Sequence, residues 1–361
     1  MRFSIIIPLY NKAAYIRKAL DSVLQQVCTD WELTIVDDES TDGSIEEVLQ
    51  WVSAHKMQSI EPPYVWKEGP SLNYLYSSSN IVRIVGQANT GVALARNRGV
   101  ALAEGEYVCF LDADDWWSPN YLEEMEQLIA AYPNAGLYAS NYVYYKPGKT
   151  HVALDLPTGY INYPQAYLRS SAMPIWTGAV CMPRRVFDEM GGFPVGIRLG
   201  EDFLLWAKTA MHYPVAFLND ALAFYNNDVP ATFRATCNLH APEHHMLWHL
   251  DGLQIFIANN KQPIEAPYLQ LPSDDDWQRL FDRLRVNGLQ DYWLSPTYHE
   301  AAAEELRKVD WTQQPRSVVC TYKTPLWMVR AKRRVMYVGS VCKQWLYGLI
   351  HTKRKEDGNV L

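Results

Sequence analysis

YVCFLDADDWW, residues Tyr107–Trp117, starts as a run fit for a buried strand and then sets three aspartates within four positions. Its first half decides the fold, because the same pattern occurs three times upstream. Phe3–Leu9 (FSIIIPL) is a continuous apolar run, followed at helical spacing by Tyr15, Ile16, Ala19, Leu20, Val23, Leu24 and Val27. LTIVDD (33–38) leads to a helix capped near Ser44, and IVRIV (81–85) leads to a helix across Val92–Ala103. YVCFL (107–111) precedes a helix running from Pro119 through Ala131. Strands with no wet face, alternating with helices, predict an α/β fold with a mostly parallel sheet covered on both sides.

A chain of 361 residues, 48% apolar and 20% charged with 13 Trp and 23 Tyr, has the makings of a folded globular protein. We expect a first domain over 1–230 and a mainly helical region over 231–361, with a long loop or small excursion near 53–80. The six cysteines are scattered without metal-binding spacing and read as reduced thiols. Nothing at the N-terminus resembles a signal peptide, so a cytoplasmic location is expected.

The net charge of −7 conceals an asymmetry: Arg316–Lys355 holds ten Lys or Arg and no acid, leaving 23 basic against 40 acidic residues elsewhere. Within it, Ala331, Val335, Val338, Cys342, Trp345 and Leu349 step by three or four, with Arg330, Lys332, Arg333, Arg334 and Lys343 beside them. A basic amphipathic helix of this kind suits an anionic membrane surface, here the inner face of the plasma membrane, although an ordinary helix packed on the first domain has the same pattern. Lys343 interrupts the stretch, which is too short to span a bilayer. No nucleic-acid-binding motif accompanies the charge, and no nucleic-acid partner is expected.

Ligands of parallel sheets sit beyond the carboxyl ends of the strands. Those ends carry Pro8-Leu9-Tyr10-Asn11, Asp37-Asp38, Asn89-Thr90-Gly91 and Asp112-Ala113-Asp114-Asp115. Two carboxylates one residue apart can hold Mg²⁺ or Mn²⁺, which prefer oxygen ligands; the same string can be a turn capping the next helix. Asp38 is open to the same two readings, a contact to a nucleobase or ribose, or part of an Asp-Glu-Ser-Thr-Asp-Gly turn. Tyr10 can stack on a base or pack beneath a loop. Glu201 and Asp202 can act on a substrate or simply begin a helix, where acids suit the positive end of the dipole.

Together and in order, IIIPLYNKAAYIRKALDSVLQQ, WELTIVDDESTDGS, NTGVALARNRGVALAEGEYVCFLDADD and GGFPVGIRLGEDFLLW resemble the inverting family 2 glycosyltransferases, over about residues 3–225. The resemblance implies a GT-A fold: a mostly parallel, Rossmann-like central sheet flanked by helices, here with a helical C-terminal extension. It places Mn²⁺ or Mg²⁺ on Asp114 and Asp112, and counts Asp112 and Ala113 among the donor-binding residues. It assigns the base pocket to Pro8, Tyr10 and Asn11 and a uracil contact to Asp38, and sets Gly91, Arg96 and Asn97 near the nucleotide. Asp202 becomes the base, Glu201 its neighbour on the sugar, and Trp176, Thr177 and Gly178 line the sugar and acceptor subsites. The pattern fails after Tyr225, where Asn226-Asn227-Asp228 stands in place of the Arg and His of many relatives. No Q-x-x-R-W motif of processive synthases is present.

The implied activity is metal-dependent, inverting transfer from a nucleotide sugar, UDP-linked, to a hydroxyl of a glycan or lipid-linked acceptor in bacterial surface polysaccharide synthesis. Two alternatives are a nucleotidyltransferase-like enzyme and a catalytically degenerate nucleotide-sugar-binding protein.

Overall fold

The four strand-and-helix repeats fold as read. A computed structural model describes residues 2–60, 71–77, 80–230, 239–259 and 271–330. It begins with β1 (Phe3–Leu9), α1 (Ile16–Leu24), β2 (Trp31–Asp37) and α2 (Ser44–Ala54). Two short strands follow, β3 (Gln58–Ile60) and β4 (Ser71–Leu75), then β5 (Ile81–Gly86) and α3 (Val92–Ala101). β6 (Tyr107–Phe110) leads through β7 (Trp116–Trp117) into α4 (Tyr121–Ala131).

β1 lies between β2 and β6, parallel to both, and β5 continues the parallel set beyond β2. Leu9 stands opposite Asp37, and Asp37 opposite Gly86, so the carboxyl ends of these strands fall in one row. Ile5, Ile6, Ile7, Leu33, Ile35 and Phe110 are fully buried, each contributing about 1.5–3 kcal/mol by removal from water.

The other half of the sheet is more mixed. After β8 (Leu137–Tyr145), β9 (His151–Val152), β10 (Gly159–Ile161) and α5 (Tyr163–Arg169) come β11 (Val180–Pro183), α6 (Arg184–Met190), α7 (Glu201–Ala210) and β12 (Val215–Asn226). The sheet order is β10-β12-β8-β11-β6-β1-β2-β5-β4-β3. β11 runs antiparallel between β6 and β8, so β8 and its parallel partner β12 point the same way as β6. The ends of β8 and β12 therefore join the row of strand ends that holds Asp112.

Within the stretch read as a long loop or small excursion, β3 and β4 pair antiparallel and extend the sheet from β5. Their polar composition suits an edge position, where one side needs no apolar cover. At the opposite end of the strands, Glu32 is buried and accepts from Ser4 Oγ (2.6 Å) and the Gly105 N–H (3.2 Å). Arg83, also buried, donates to Glu32, Thr34 Oγ1 and the Leu102 carbonyl. This network ties the turn before β6 to β1 and β2, and so sets where β6 starts.

The remaining helices are α8 (Leu250–Asn259), α9 (Asp274–Gly288), α10 (Gln290–Leu294), α11 (His299–Leu306) and α12 (Arg316–Lys323), in keeping with a helical final third. By its contacts the chain divides into compact units of residues 1–281 and 282–361. Long-range pairing holds the first unit together: Met246 N–H donates to the Leu199 carbonyl (3.0 Å), and Asp276 accepts from Asn162 (3.1 Å) and Gln165 (3.0 Å). In the second unit, buried Arg285 pairs with Glu305 at 3.2 Å, and Tyr322 donates to the Val286 carbonyl. No helix among the described residues is long and apolar enough to cross a membrane. The basic stretch beyond residue 330 lies outside the described residues.

Candidate active site

The strand-end row collects most of the residues singled out from the sequence, and their hydrogen bonds define what each does. Pro8 is set in β1 opposite Val36. Tyr10 is 48% exposed, which leaves its ring open to stacking. Asn11, at φ 52°, bonds the neighbouring loop through its own N–H to Ser40 Oγ (3.1 Å) and through Oδ1, which accepts from the Thr41 N–H (2.8 Å). Its polar groups tie the first two strand ends together.

Asp38 is buried, and its carboxylate accepts from the N–H groups of Thr90 and Gly91 (both 2.9 Å) and from Gln87 Nε2 (2.8 Å). It therefore clamps the Gln87–Gly91 loop to the end of β2, and a base contact would draw only on its remaining lone-pair capacity. Gly91 opens α3 at φ 96°, a backbone setting that glycine adopts without strain.

Two cations of the chain itself meet the acidic turn after β6. Lys12 Nζ lies 2.6 Å from Asp114 Oδ2, and Arg96 donates to Asp112 Oδ1 at 2.7 Å. Asp115 does not cap α4. It is buried, its Oδ1 accepts from the Asn226 N–H at 2.7 Å, and burial with the charges of Asp114 and Asp112 pushes its carboxyl well above the usual range. Asp115 therefore pins the end of β12 beside the aspartate pair.

Arg96 is not a solvent-facing helical arginine: it is 4% exposed, and its other terminal nitrogen donates to Glu201 Oε1 at 2.9 Å. Burial works against its charge, but Asp112 and Glu201 outweigh that and hold the guanidinium more firmly protonated than usual. Its Nε is buried without a partner among the described residues, so the group is held by its two tips and by the Phe193 ring, 5.1 Å away. Burial, with the charge of Asp202 alongside, pushes Glu201 up to about 7 against the pull of Arg96.

Asn97, expected beside the nucleotide, is committed elsewhere. Its amide donates to the Phe193 carbonyl (2.8 Å) and accepts from the Phe193 N–H (2.9 Å), fixing the Gly-Gly-Phe turn against α3. A side-chain amide that satisfies both backbone groups of one residue has little left for a ligand.

Glu201 and Asp202 form the first turn of α7, behind Gly200 at φ 83°. A Cβ at Gly200 would come 2.3 Å from Met246 Sδ, so only glycine lets the helix start there. Asp202 Oδ2 accepts from Thr177 Oγ1 (2.9 Å) and Oδ1 from the Phe203 N–H (2.7 Å). Thr177 thus holds the carboxylate in place through its hydroxyl. Trp176, expected along the sugar and acceptor subsites, is 4% exposed and packed against Tyr142 (5.0 Å) and Tyr225 (5.3 Å), so its ring faces are taken up by neighbouring aromatics. Gly178 accepts from Trp117 Nε1 at 2.7 Å and braces the same wall.

The sequence reading passed over Lys12, although it follows Pro8-Leu9-Tyr10-Asn11 directly. A cation three residues past the end of β1, beside the acidic strand ends, is the available signal. Asp112 and Asp114 retain oxygens with no hydrogen bond among the described residues, and this all-oxygen pair fits a hard divalent cation that takes its other ligands from water and phosphate.

A sequence profile of glycosyl transferase family 2 matches residues 4–191, more than half of the chain. The chain belongs to that family. Among curated members, the amylovoran biosynthesis glycosyltransferase AmsB of Erwinia amylovora is 34% identical over 127 residues, 35% of either chain. The chain spans 33% and 42% of the length of the first two curated relatives matched. S. aureus TarS 1–349, solved with UDP-GlcNAc, has a TM-score of 0.60 at 19% identity, over 90% of this chain and 92% of that one. The mannosyltransferase PcManGT of Pyrobaculum calidifontis, solved with GDP-Man and Mn²⁺, has a TM-score of 0.52 at 18% identity, over 95% and 87%. These likenesses establish the fold as GT-A.

Proposed function

We propose that this family member is a metal-dependent, inverting glycosyltransferase that moves one sugar from a UDP-linked donor to a hydroxyl of a glycan or lipid-linked acceptor. The observation that carries the reading is the double grip of Arg96. One buried guanidinium spans Asp112, on the side where a donor diphosphate would lie, and Glu201, which adjoins Asp202. A candidate base is thereby held one arginine away from the candidate cation site. The complexes of TarS with UDP-GlcNAc and of PcManGT with GDP-Man and Mn²⁺ support a nucleotide-sugar donor, and AmsB supports a role in surface polysaccharide assembly.

A divalent cation on Asp112 and Asp114 would supply charge neutralisation for the departing diphosphate. The chain's own residues do the rest. Tyr10 offers an exposed ring for the base, and the loop clamped by Asp38 closes the crevice beside it. Asp202, oriented by Thr177 and the Phe203 N–H, takes the proton from the acceptor hydroxyl as the new C–O bond forms on the face opposite the leaving group. A single displacement of this kind inverts the anomeric centre.

The test is a donor panel of UDP-, GDP- and dTDP-sugars, scored by nucleotide release with Mn²⁺, with EDTA and with candidate acceptors. Release from UDP-sugars should exceed that from the other carriers and fall about 10²-fold or more on chelation. Turnover indifferent to EDTA would remove the metal from the mechanism, and absence of release from every donor would favour a binding protein without turnover.

We include in the same reading a peripheral position on the inner face of the plasma membrane, carried by the charge of residues 316–355. Replacing Lys332, Arg333 and Arg334 by Ser should reduce co-sedimentation with vesicles containing anionic lipid, since each cation near such a surface contributes on the order of 1 kcal/mol. Equal sedimentation of both proteins would discard this placement.

A further inference from the structure

The chemistry proposed above leaves one charged group at the aspartate pair without a task. Lys12 and Asp114 form an ion pair at 2.6 Å whose side chains are 16% and 19% exposed. The loop carrying the lysine is not held by that pair. The Lys12 N–H donates to Ser44 Oγ (2.8 Å) and the Ala13 N–H to Asp42 Oδ2 (3.1 Å), so the backbone is moored at the start of α2. An ammonium on a flexible four-carbon stem can therefore leave Asp114 without any backbone shift.

The partner cation is built in the opposite way. Arg96 is 4% exposed, bridges Asp112 to Glu201 and lies over Phe193, so it cannot leave Asp112 without breaking a buried network. The acidic turn thus carries one fixed cation and one on a movable stem. A divalent ion drawing on the Asp114 carboxylate competes with the ammonium for the same negative charge. A nucleoside diphosphate brought in with that ion delivers new negative charge within the same crevice.

We propose that Lys12 is an exchangeable counter-ion: it compensates Asp114 while the donor site is empty, yields the carboxylate to a divalent cation, and transfers its ammonium to the donor diphosphate. This rests on the metal-dependent reading of the site. It makes Lys12 a residue that couples nucleotide binding to metal binding, and it assigns the loop after β1 a role on the phosphate as well as on the base.

The experiment compares the full-length wild-type chain with Lys12→Gln and Lys12→Arg by calorimetric titration, first with MnCl₂ alone and then with UDP and with uridine at saturating Mn²⁺. Lys12→Gln should bind Mn²⁺ alone roughly tenfold more tightly and UDP roughly tenfold more weakly, with uridine unchanged. Lys12→Arg should restore UDP affinity. Asp114→Asn, as the control, should lose Mn²⁺ binding. If the wild type binds Mn²⁺ and Lys12→Gln leaves both Mn²⁺ and UDP affinities within twofold, the counter-ion role is overturned while the metal reading stands. If neither protein binds Mn²⁺, both fall together.

Discussion

Asp202→Asn is expected to lower transfer by about 10²–10⁴-fold while leaving UDP affinity within about twofold. The amide preserves the shape of the carboxylate: its oxygen can still accept from the Phe203 N–H, while its NH₂ can donate to Thr177 Oγ1 in place of the bond the carboxylate accepted, so the start of α7 keeps its geometry. What it loses is the capacity to take a proton. Steady-state turnover with the preferred donor, alongside calorimetric titration of UDP, separates the two quantities. A variant that retains wild-type turnover would exclude Asp202 as the base, and one that loses UDP binding would assign it to the donor site instead. Thr177→Val is the companion: it frees the carboxylate from its orienting bond without removing it, and its defect should be smaller.

Arg96→Met should destabilise the fold by about 3–5 kcal/mol, because it leaves Asp112 and Glu201 facing a buried space without their shared cation. The loss should also depend on pH, and the sign follows from Glu201. Its folded pKa is raised from 4.5 to about 7, so between those values the folded chain binds more protons than the unfolded one. Stability contributed by this group therefore falls as pH rises through that window and levels off above it. Removing Arg96 takes away the charge that favours ionisation, extends the window upward, and makes the variant's deficit larger at pH 8 than at pH 5.5. Urea unfolding of both proteins at the two pH values reads this directly. Adding Glu201→Gln to Arg96→Met should recover part of the stability, whereas an unchanged midpoint in the single variant would show that the pair contributes nothing.

The parts of the fold legible in advance were those whose signal is local. The apolar runs of β1, β2, β5 and β6 and the helical spacing after each are properties of short windows, since a residue's neighbours along the chain decide whether it can bury one face or two. The polar residues at the strand ends followed from the same reading, because a parallel sheet leaves its carboxyl ends open. The edge strands β3 and β4 were missed: short polar edges carry no such signal, and they exist because β5 offers unpaired backbone groups.

Sequence alone determined which residue types would gather at the crevice and in what chain order: Asp38, the Asp112–Asp114 turn, and the Glu201–Asp202 pair at a helix start. Only the tertiary structure decided how each is used. Lys12 reaches Asp114 across 102 residues and Arg96 reaches Glu201 across 105. It turned Asn97 to Phe193, Asp38 to the Gln87–Gly91 loop, and the ring of Trp176 into the core. The physical reason is range. Strand and helix follow from hydrophobic periodicity within a dozen residues, whereas the partner of a charge is whatever the completed sheet brings within hydrogen-bond distance, and a buried charge must find one.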